Sequence, residues 1–141
     1  MPQPALAGTV LLIEDEADFR NVMRWRLEKE GHYKVLDAAD GQSGIAMAIQ
    51  HHPDVILTDY TMPRMNGHEV LQALRANQQT EHIPVILLTS LGSEQKVADS
   101  LAFGAACHVE KWADSKILLK EVQVAIVKHR QFHPSPSNRP S

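Results

Sequence analysis

The sequence predicts an α/β fold, a doubly wound parallel sheet with helices on both faces. Five short apolar runs alternate along the chain with five longer segments whose apolar residues recur at helical spacing. Strands that are joined by helices run parallel, and the helices bury both faces of the sheet. The chain has 141 residues, which is enough for one domain of this kind with a sizeable core.

Each predicted element follows from its own local pattern. The third and fourth strands contain "VILT" and "PVILLT", continuous apolar runs that are typical of strands buried on both faces. The first helix carries one apolar stripe, formed by Phe19, Val22, Met23 and Leu27, and ends at Gly31. The predicted strands are 9–13, 33–38, 55–58, 84–89 and 106–109, and the predicted helices are 17–30, 42–50, 67–76, 93–103 and 114–129. Right-handed crossovers leave few topologies, and we predict five strands in the flavodoxin-like order 2-1-3-4-5.

Composition excludes several classes of protein. A net charge of −3 gives no basic footprint, so we expect no direct nucleic-acid binding. Cys107 is the single cysteine, which excludes an internal disulfide and fits a reducing compartment. The chain has no apolar run of membrane-spanning length and no signal-peptide pattern, so we expect a cytoplasmic protein without membrane contact. We place the folded domain at 8–130 and a disordered Pro/Ser-rich tail at 131–141.

Acidic residues follow two strands that the predicted order makes neighbours. Glu14, Asp15 and Glu16 follow the first strand, and Asp59 follows the third. Ligands of such sheets bind in the crevice beyond the carboxyl ends of the strands. Carboxylates held this close raise one another's pKa unless a cation lies among them, and Mg²⁺ is the cation expected from oxygen ligands. The alternative is that these acids simply face solvent at the start of loops.

The fourth and fifth strands bring a hydroxyl and an amine to the same edge. Thr89 ends the fourth strand, and Lys111 follows the fifth. Mg²⁺ and Lys111 could neutralise the oxygens of a phosphoryl group while Thr89 donates a hydrogen bond to it. Asp59 would then be the nucleophile. A lysine near carboxylates can also be a salt bridge and nothing more.

Four segments of the chain resemble the signature blocks of one family. "VLLIEDE", "DVILTDYTMPRMNG", "PVILLTS" and "GAACHVEK" are similar, in this order, to those of the two-component response-regulator receiver domain, in particular its single-domain, chemotaxis-regulator-like form. The resemblance covers about residues 8–130. It implies that the chain is a phosphorylation-dependent switch whose only catalysis is its own phosphorylation and dephosphorylation.

The resemblance also implies roles for individual residues and for partners. Asp59 would be the phosphoacceptor, with Thr89 as the switch hydroxyl and Lys111 as the phosphate-binding lysine. The Mg²⁺ ligands would be Glu14, Asp15, Asp59 and the backbone carbonyl of Thr61. The phosphoryl donor would be a histidine kinase or a histidine phosphotransfer domain, and the output would be a downstream protein partner.

The chain departs from the family pattern near the lysine. Trp112 stands where the family usually has proline after a cis peptide. A cis bond before a non-proline residue costs about 3–4 kcal/mol, so we predict a trans peptide between Lys111 and Trp112. His108 stands where the family usually has a switching Tyr or Phe, and we expect it to take that role. Ser90 replaces the common Ala after the switch hydroxyl.

Other functions stay open at this point. A phosphohydrolase with an aspartate nucleophile would need an acid two residues after it, where this chain has Thr61. A flavodoxin-like electron carrier would need a Ser/Thr/Gly-rich phosphate loop after the first strand, where the acids of "EDEAD" would instead repel a flavin phosphate. A pseudo-receiver would bind partners without being phosphorylated. The chain could also be a fragment of a larger regulator or hybrid kinase, although Met1 and the short tail favour a stand-alone protein.

The last helix suggests a self-association surface. Ile117, Val124 and Val127 lie outside its core stripe and make the helix apolar on a second side. An exposed apolar strip suggests a partner or a homodimer through this helix, and the alternative is that a loop or the tail covers it.

Overall fold

The predicted sheet is confirmed by the computed structural model, which describes residues 7–90 and 94–132. All four pairings are parallel, and the strand order is 2-1-3-4-5. Every strand lies within one residue of its predicted bounds. The strands are β1 Thr9–Ile13, β2 Lys34–Ala38, β3 Val55–Asp59, β4 Val85–Thr89 and β5 Cys107–Glu110.

The five predicted helices are also present. They are α1 Ala17–Trp25, α2 Gly41–His51, α3 Gly67–Arg75, α4 Glu94–Phe103 and α5 Ser115–Phe132. The predicted first helix is not α-helical throughout, because it continues after α1 as a π-helical segment, Arg26–Glu30. The final helix runs to Phe132, two residues into the segment predicted as a tail. The rest of that segment, 133–141, lies outside the described residues.

The core forms two layers, one on each face of the sheet. Side chains alternate along a strand, so Leu12 and Leu57 pack on the face covered by α1 and α5, while Leu11 and Ile56 pack on the face covered by α2 and α3. All residues of the central strands β3 and β4 are buried. Continuous burial explains why these two strands read as unbroken apolar runs.

The register brings four strand ends to one edge of the sheet. Ile13 at the end of β1 pairs with Thr58, so the residues after β1 lie beside Asp59. Asp59 itself pairs with Leu88, one residue before Thr89. The predicted convergence of the ends of β1, β3, β4 and β5 is therefore confirmed.

The start of α3 packs closely against the end of β3. A Cβ atom at Gly67 would lie 2.7 Å from the backbone oxygen of Asp59, so only glycine allows this approach. Asn66 caps the helix, since its side chain accepts from the Glu69 N–H while the Glu69 side chain accepts from the Asn66 N–H. The loop after β3 is thereby held beside the strand end. In the described ranges, no helix has the length and apolarity that a membrane crossing needs.

Candidate functional site: a carboxylate cluster with one lysine

Three carboxylates meet beyond the ends of β1 and β3. One oxygen each from Glu14, Asp15 and Asp59 lies within 4.8 Å of the others. Glu14 is fully buried, Asp59 is 3% exposed, and Asp15 is partly exposed. The three acids that the sequence predicts as metal ligands are thus brought together.

The cluster has oxygens that lack partners. Glu14 Oε2 and Asp15 Oδ1 are buried and accept no hydrogen bond from residues 7–90 and 94–132. Burial and the charge of Asp59 raise the pKa of Glu14 to about 7. Burial also raises the pKa of Asp59, although the neighbouring Lys111 opposes this shift. Such a cluster is stabilised by an added cation.

Lys111 provides part of the opposing charge. Its Nζ donates to Glu14 Oε1 and Asp59 Oδ2, both at 3.1 Å, and to Glu16 Oε1 at 3.4 Å. Burial lowers the pKa of Lys111, but the hydrogen bond to Glu14 and the charge of Asp59 outweigh it, and the net pKa is raised. Lys111 is therefore a charged ammonium, and one positive charge faces several carboxylates.

The loop after β5 reaches this position without a cis bond. The peptide between Lys111 and Trp112 is trans, as predicted. The Lys111 N–H donates to the Thr89 carbonyl at 2.9 Å, which holds the start of the loop against β4.

Asp59 lies at the centre of the site. Its Oδ1 accepts from the Thr61 N–H at 3.2 Å, and its Oδ2 accepts from Lys111. The contact of Thr61 with the site is thus through its N–H, and the metal role of its carbonyl stays a prediction. A carboxylate fixed by two donors, with Glu14 and Asp15 beside it, can attack an electrophile and share a metal ion.

The two predicted switch residues lie nearby but differ in exposure. Thr89 ends β4 and is 4% exposed, directly after the residue that pairs with Asp59. His108 lies in β5, pairs with Leu87, and is exposed. Its role as a switch stays a prediction.

Phe19 and Trp112 are site neighbours that sequence reasoning did not assign to the site. The Lys111 Nζ lies 4.4 Å from the centroid of the Phe19 ring. The Trp112 ring meets the Phe19 ring edge-on, with centroids 4.7 Å apart. The position of Phe19 in the core stripe of α1 already explains an apolar residue there, so the sequence gives no separate signal for this contact.

A family model and a relative of similar length match the chain. The model of the response regulator receiver domain matches residues 10–123. Protein PilH of Pseudomonas aeruginosa is 33% identical over 117 residues, which cover 83% of this chain and 96% of PilH. The chain spans 48% and 56% of the length of two transcriptional regulators that it matches at 34% and 30% identity.

Solved structures of receiver domains match the fold. The chemotaxis protein CheY4 of Vibrio cholerae is 33% identical with a TM-score of 0.78, and the match covers 86% of this chain and 99% of CheY4. The receiver domain of the sensor histidine kinase PA1611 from Pseudomonas aeruginosa PAO1 is 26% identical with a TM-score of 0.76, and the match covers 85% and 98% of the two chains. That structure has a magnesium ion coordinated in its active-site cleft. On these matches, the chain belongs to the response regulator receiver domain family of two-component signalling.

Proposed function

We propose that this chain is a signalling switch that accepts a phosphoryl group on Asp59, with Mg²⁺, from a histidine kinase or a histidine phosphotransfer protein. The observation that carries the proposal is the position of the Asp59 carboxylate between the Lys111 ammonium and the acids Glu14 and Asp15. In the transfer, an Asp59 oxygen attacks the phosphorus atom. The bond between phosphorus and the donor imidazole breaks, and the imidazole nitrogen keeps the electron pair.

The surrounding groups divide the work of stabilising the transferred phosphoryl group. Lys111 neutralises a phosphoryl oxygen, and the Thr89 hydroxyl donates a hydrogen bond to another. Lys111 already contacts Asp59 through its Nζ, and Thr89 ends the strand that pairs with β3.

The donor set fits Mg²⁺. Glu14, Asp15 and Asp59 would hold the ion together with the carbonyl of Thr61. Glu14 Oε2 and Asp15 Oδ1, which are buried without a hydrogen-bond partner among the described residues, support this assignment. When bound, the ion neutralises negative charge that develops on the phosphoryl oxygens.

The output is a contact with a downstream protein in the cytoplasm, without direct binding to nucleic acid. Ile117, Val124 and Val127 on α5 are 54%, 37% and 47% exposed. An apolar strip of this kind supports a homodimer through α5. The alternative is a binding module, either a pseudo-receiver or a receiver that forms part of a larger regulator or hybrid kinase. The half-length match to the transcriptional regulators supports the second form.

The proposal is tested by labelling with acetyl phosphate and Mg²⁺, followed by intact mass. The wild type is expected to gain the mass of one phosphoryl group, and Asp59→Asn is expected to gain none. Asp99→Asn, which removes an exposed carboxylate of α4, is the matched control and should label like the wild type. Equal labelling of Asp59→Asn, or undiminished labelling in EDTA, would contradict the proposal.

A further inference from the structure

An aromatic pair, Phe19 and Trp112, lies against the lysine of the site. The Lys111 Nζ is 4.4 Å from the Phe19 ring centroid, inside the range in which a cation is attracted to a ring face. Trp112 meets Phe19 with an interplanar angle of 79°, the edge-to-face arrangement that aromatic rings favour. Lysine, phenylalanine and tryptophan therefore form one contiguous contact between the loop after β5 and α1.

The ammonium has a competing position. Of its three carboxylate partners, Glu14 and Asp59 are buried, but the Glu16 side chain is 69% exposed. A lysine that followed Glu16 toward solvent would regain hydration and leave Asp59. The Phe19 ring attracts the ammonium to the buried side. Because the ring carries no formal charge, it neither repels an incoming phosphoryl group nor competes for a metal ion.

Trp112 is placed to hold this arrangement. It is 69% exposed, so its side chain buries little surface apart from its contact with Phe19. The same loop also contacts the π-helical segment that follows α1, because Arg26 Nη1 donates to the Ala113 carbonyl at 3.0 Å. Side-chain contacts to α1 and its continuation thus fix a loop that has a trans peptide after Lys111.

We infer that Phe19 and Trp112 are positioning residues that hold the Lys111 ammonium at Asp59 for phosphoryl transfer. This role rests on the proposed function, because it requires Asp59 to be the phosphoacceptor. The contact between Lys111 and the two rings does not depend on the proposed function, and it can be measured separately.

The test uses four variants of the whole chain. Trp112→Ala removes the exposed ring, Trp112→Phe keeps an aromatic edge, and Phe19→Leu removes the ring face under the ammonium. Trp25→Ala is the matched control, since Trp25 is a 56% exposed tryptophan of α1 that makes no ring contact with Phe19 in the described residues. The initial rate of labelling by acetyl phosphate with Mg²⁺ should fall about fivefold in Trp112→Ala and Phe19→Leu. Trp112→Phe and Trp25→Ala should stay near the wild-type rate.

A second readout reports the contact without phosphorylation. Protons on the Lys111 ε-carbon lie near the Phe19 ring face, so the ring current should shift their NMR signals upfield. The shift should vanish in Phe19→Leu, shrink in Trp112→Ala, and persist in Trp112→Phe and Trp25→Ala.

The outcomes separate the two proposals. An unchanged Lys111 signal in Phe19→Leu would overturn the aromatic contact, and wild-type rates in both Trp112→Ala and Phe19→Leu would overturn its positioning role. If Phe19→Leu does not fold, the Trp112→Ala and Trp112→Phe pair decides. If the wild type takes no label at all, the proposed function fails and the positioning role fails with it, while the NMR signals still show whether the contact exists.

Discussion

Asp54 directly precedes β3 and Asp59 ends it, and the two carboxylates differ in their burial and in the acids beside them. Asp54 is partly exposed, its Oδ2 accepts from the Thr9 N–H at 2.8 Å, and its Oδ1 lies 3.8 Å from the Arg130 guanidinium. Asp59 is buried beside two further acids, and its pKa is raised by burial. The first carboxylate has partners that stabilise the fold. The second lies in a cluster that the fold alone leaves short of positive charge.

This difference indicates which end of β3 stabilises the fold and which end is suited to a chemical function. Buried carboxylates that lie close together repel one another and destabilise a folded chain, and such groups concentrate at functional sites. Asp54 links the start of β3 to β1 through its hydrogen bond with the Thr9 N–H. At the other end of β3, a cation would offset the negative charge of Asp59, Glu14 and Asp15. Unfolding measurements at different pH values, and on variants that lack one of these acids, test the difference between the two ends of the strand. A change of pH is expected to have the largest effect.

The largest expected effect is a loss of stability as pH rises in the absence of metal. Glu14 has a pKa of about 7 when folded, against 4.5 when unfolded. Between these values the folded chain binds more protons than the unfolded chain, so the free energy of unfolding falls as pH rises from about 4.5 to about 7. The shift sets an upper limit of roughly 3 kcal/mol for this fall.

Urea unfolding in EDTA at several pH values measures this effect. Glu14→Gln should flatten the fall across that pH window, because the variant has no carboxyl to titrate at this position. An equally steep fall in the variant would show that Glu14 is not the group responsible.

The next effect is opposite in sign at the two ends of β3. Asp59→Asn removes a buried charge from the cluster and should raise the free energy of unfolding at pH 7 by about 1 kcal/mol. Asp54→Ala removes the acceptor for the Thr9 N–H and should lower it by about 1–2 kcal/mol. Both values come from the same urea unfolding experiment in EDTA. A destabilised Asp59→Asn would show that the contact of Asp59 with Lys111 outweighs the repulsion within the cluster.

The sequence predicts those features of the site that follow from the order of the strands. β3 and β4 are buried on both faces, so their apolar runs are easily recognised, and the order 2-1-3-4-5 then places Glu14, Asp15, Asp59 and Lys111 at one edge. The resemblance to the receiver family points to the same residues. Contacts between elements that are distant in sequence were harder to predict. The Phe19 contact with Lys111 is one such case, since core spacing already accounts for Phe19.

Two helix boundaries differ from the predicted ones, and the reason is not contact between distant elements. The π-helical segment Arg26–Glu30 differs from an α-helix by one residue in hydrogen-bond spacing, and the apolar stripe through Leu27 fits either form. The last helix continues to Phe132 because nothing in that stretch interrupts it before Pro134, although the segment from 131 has the composition of a tail.

We expect Asp59 and the acids beside it, Glu14 and Asp15, to bind a metal ion, and Asp54 to bind none. Calorimetric titration with Mg²⁺ measures this difference. The wild type and Asp54→Ala should each bind one ion with similar affinity. Asp15→Asn and Asp59→Asn should weaken the affinity by about tenfold or more, because each removes a charged ligand from the ion. Wild-type Mg²⁺ affinity in Asp59→Asn, or weakening in Asp54→Ala as large as in Asp59→Asn, would contradict the account.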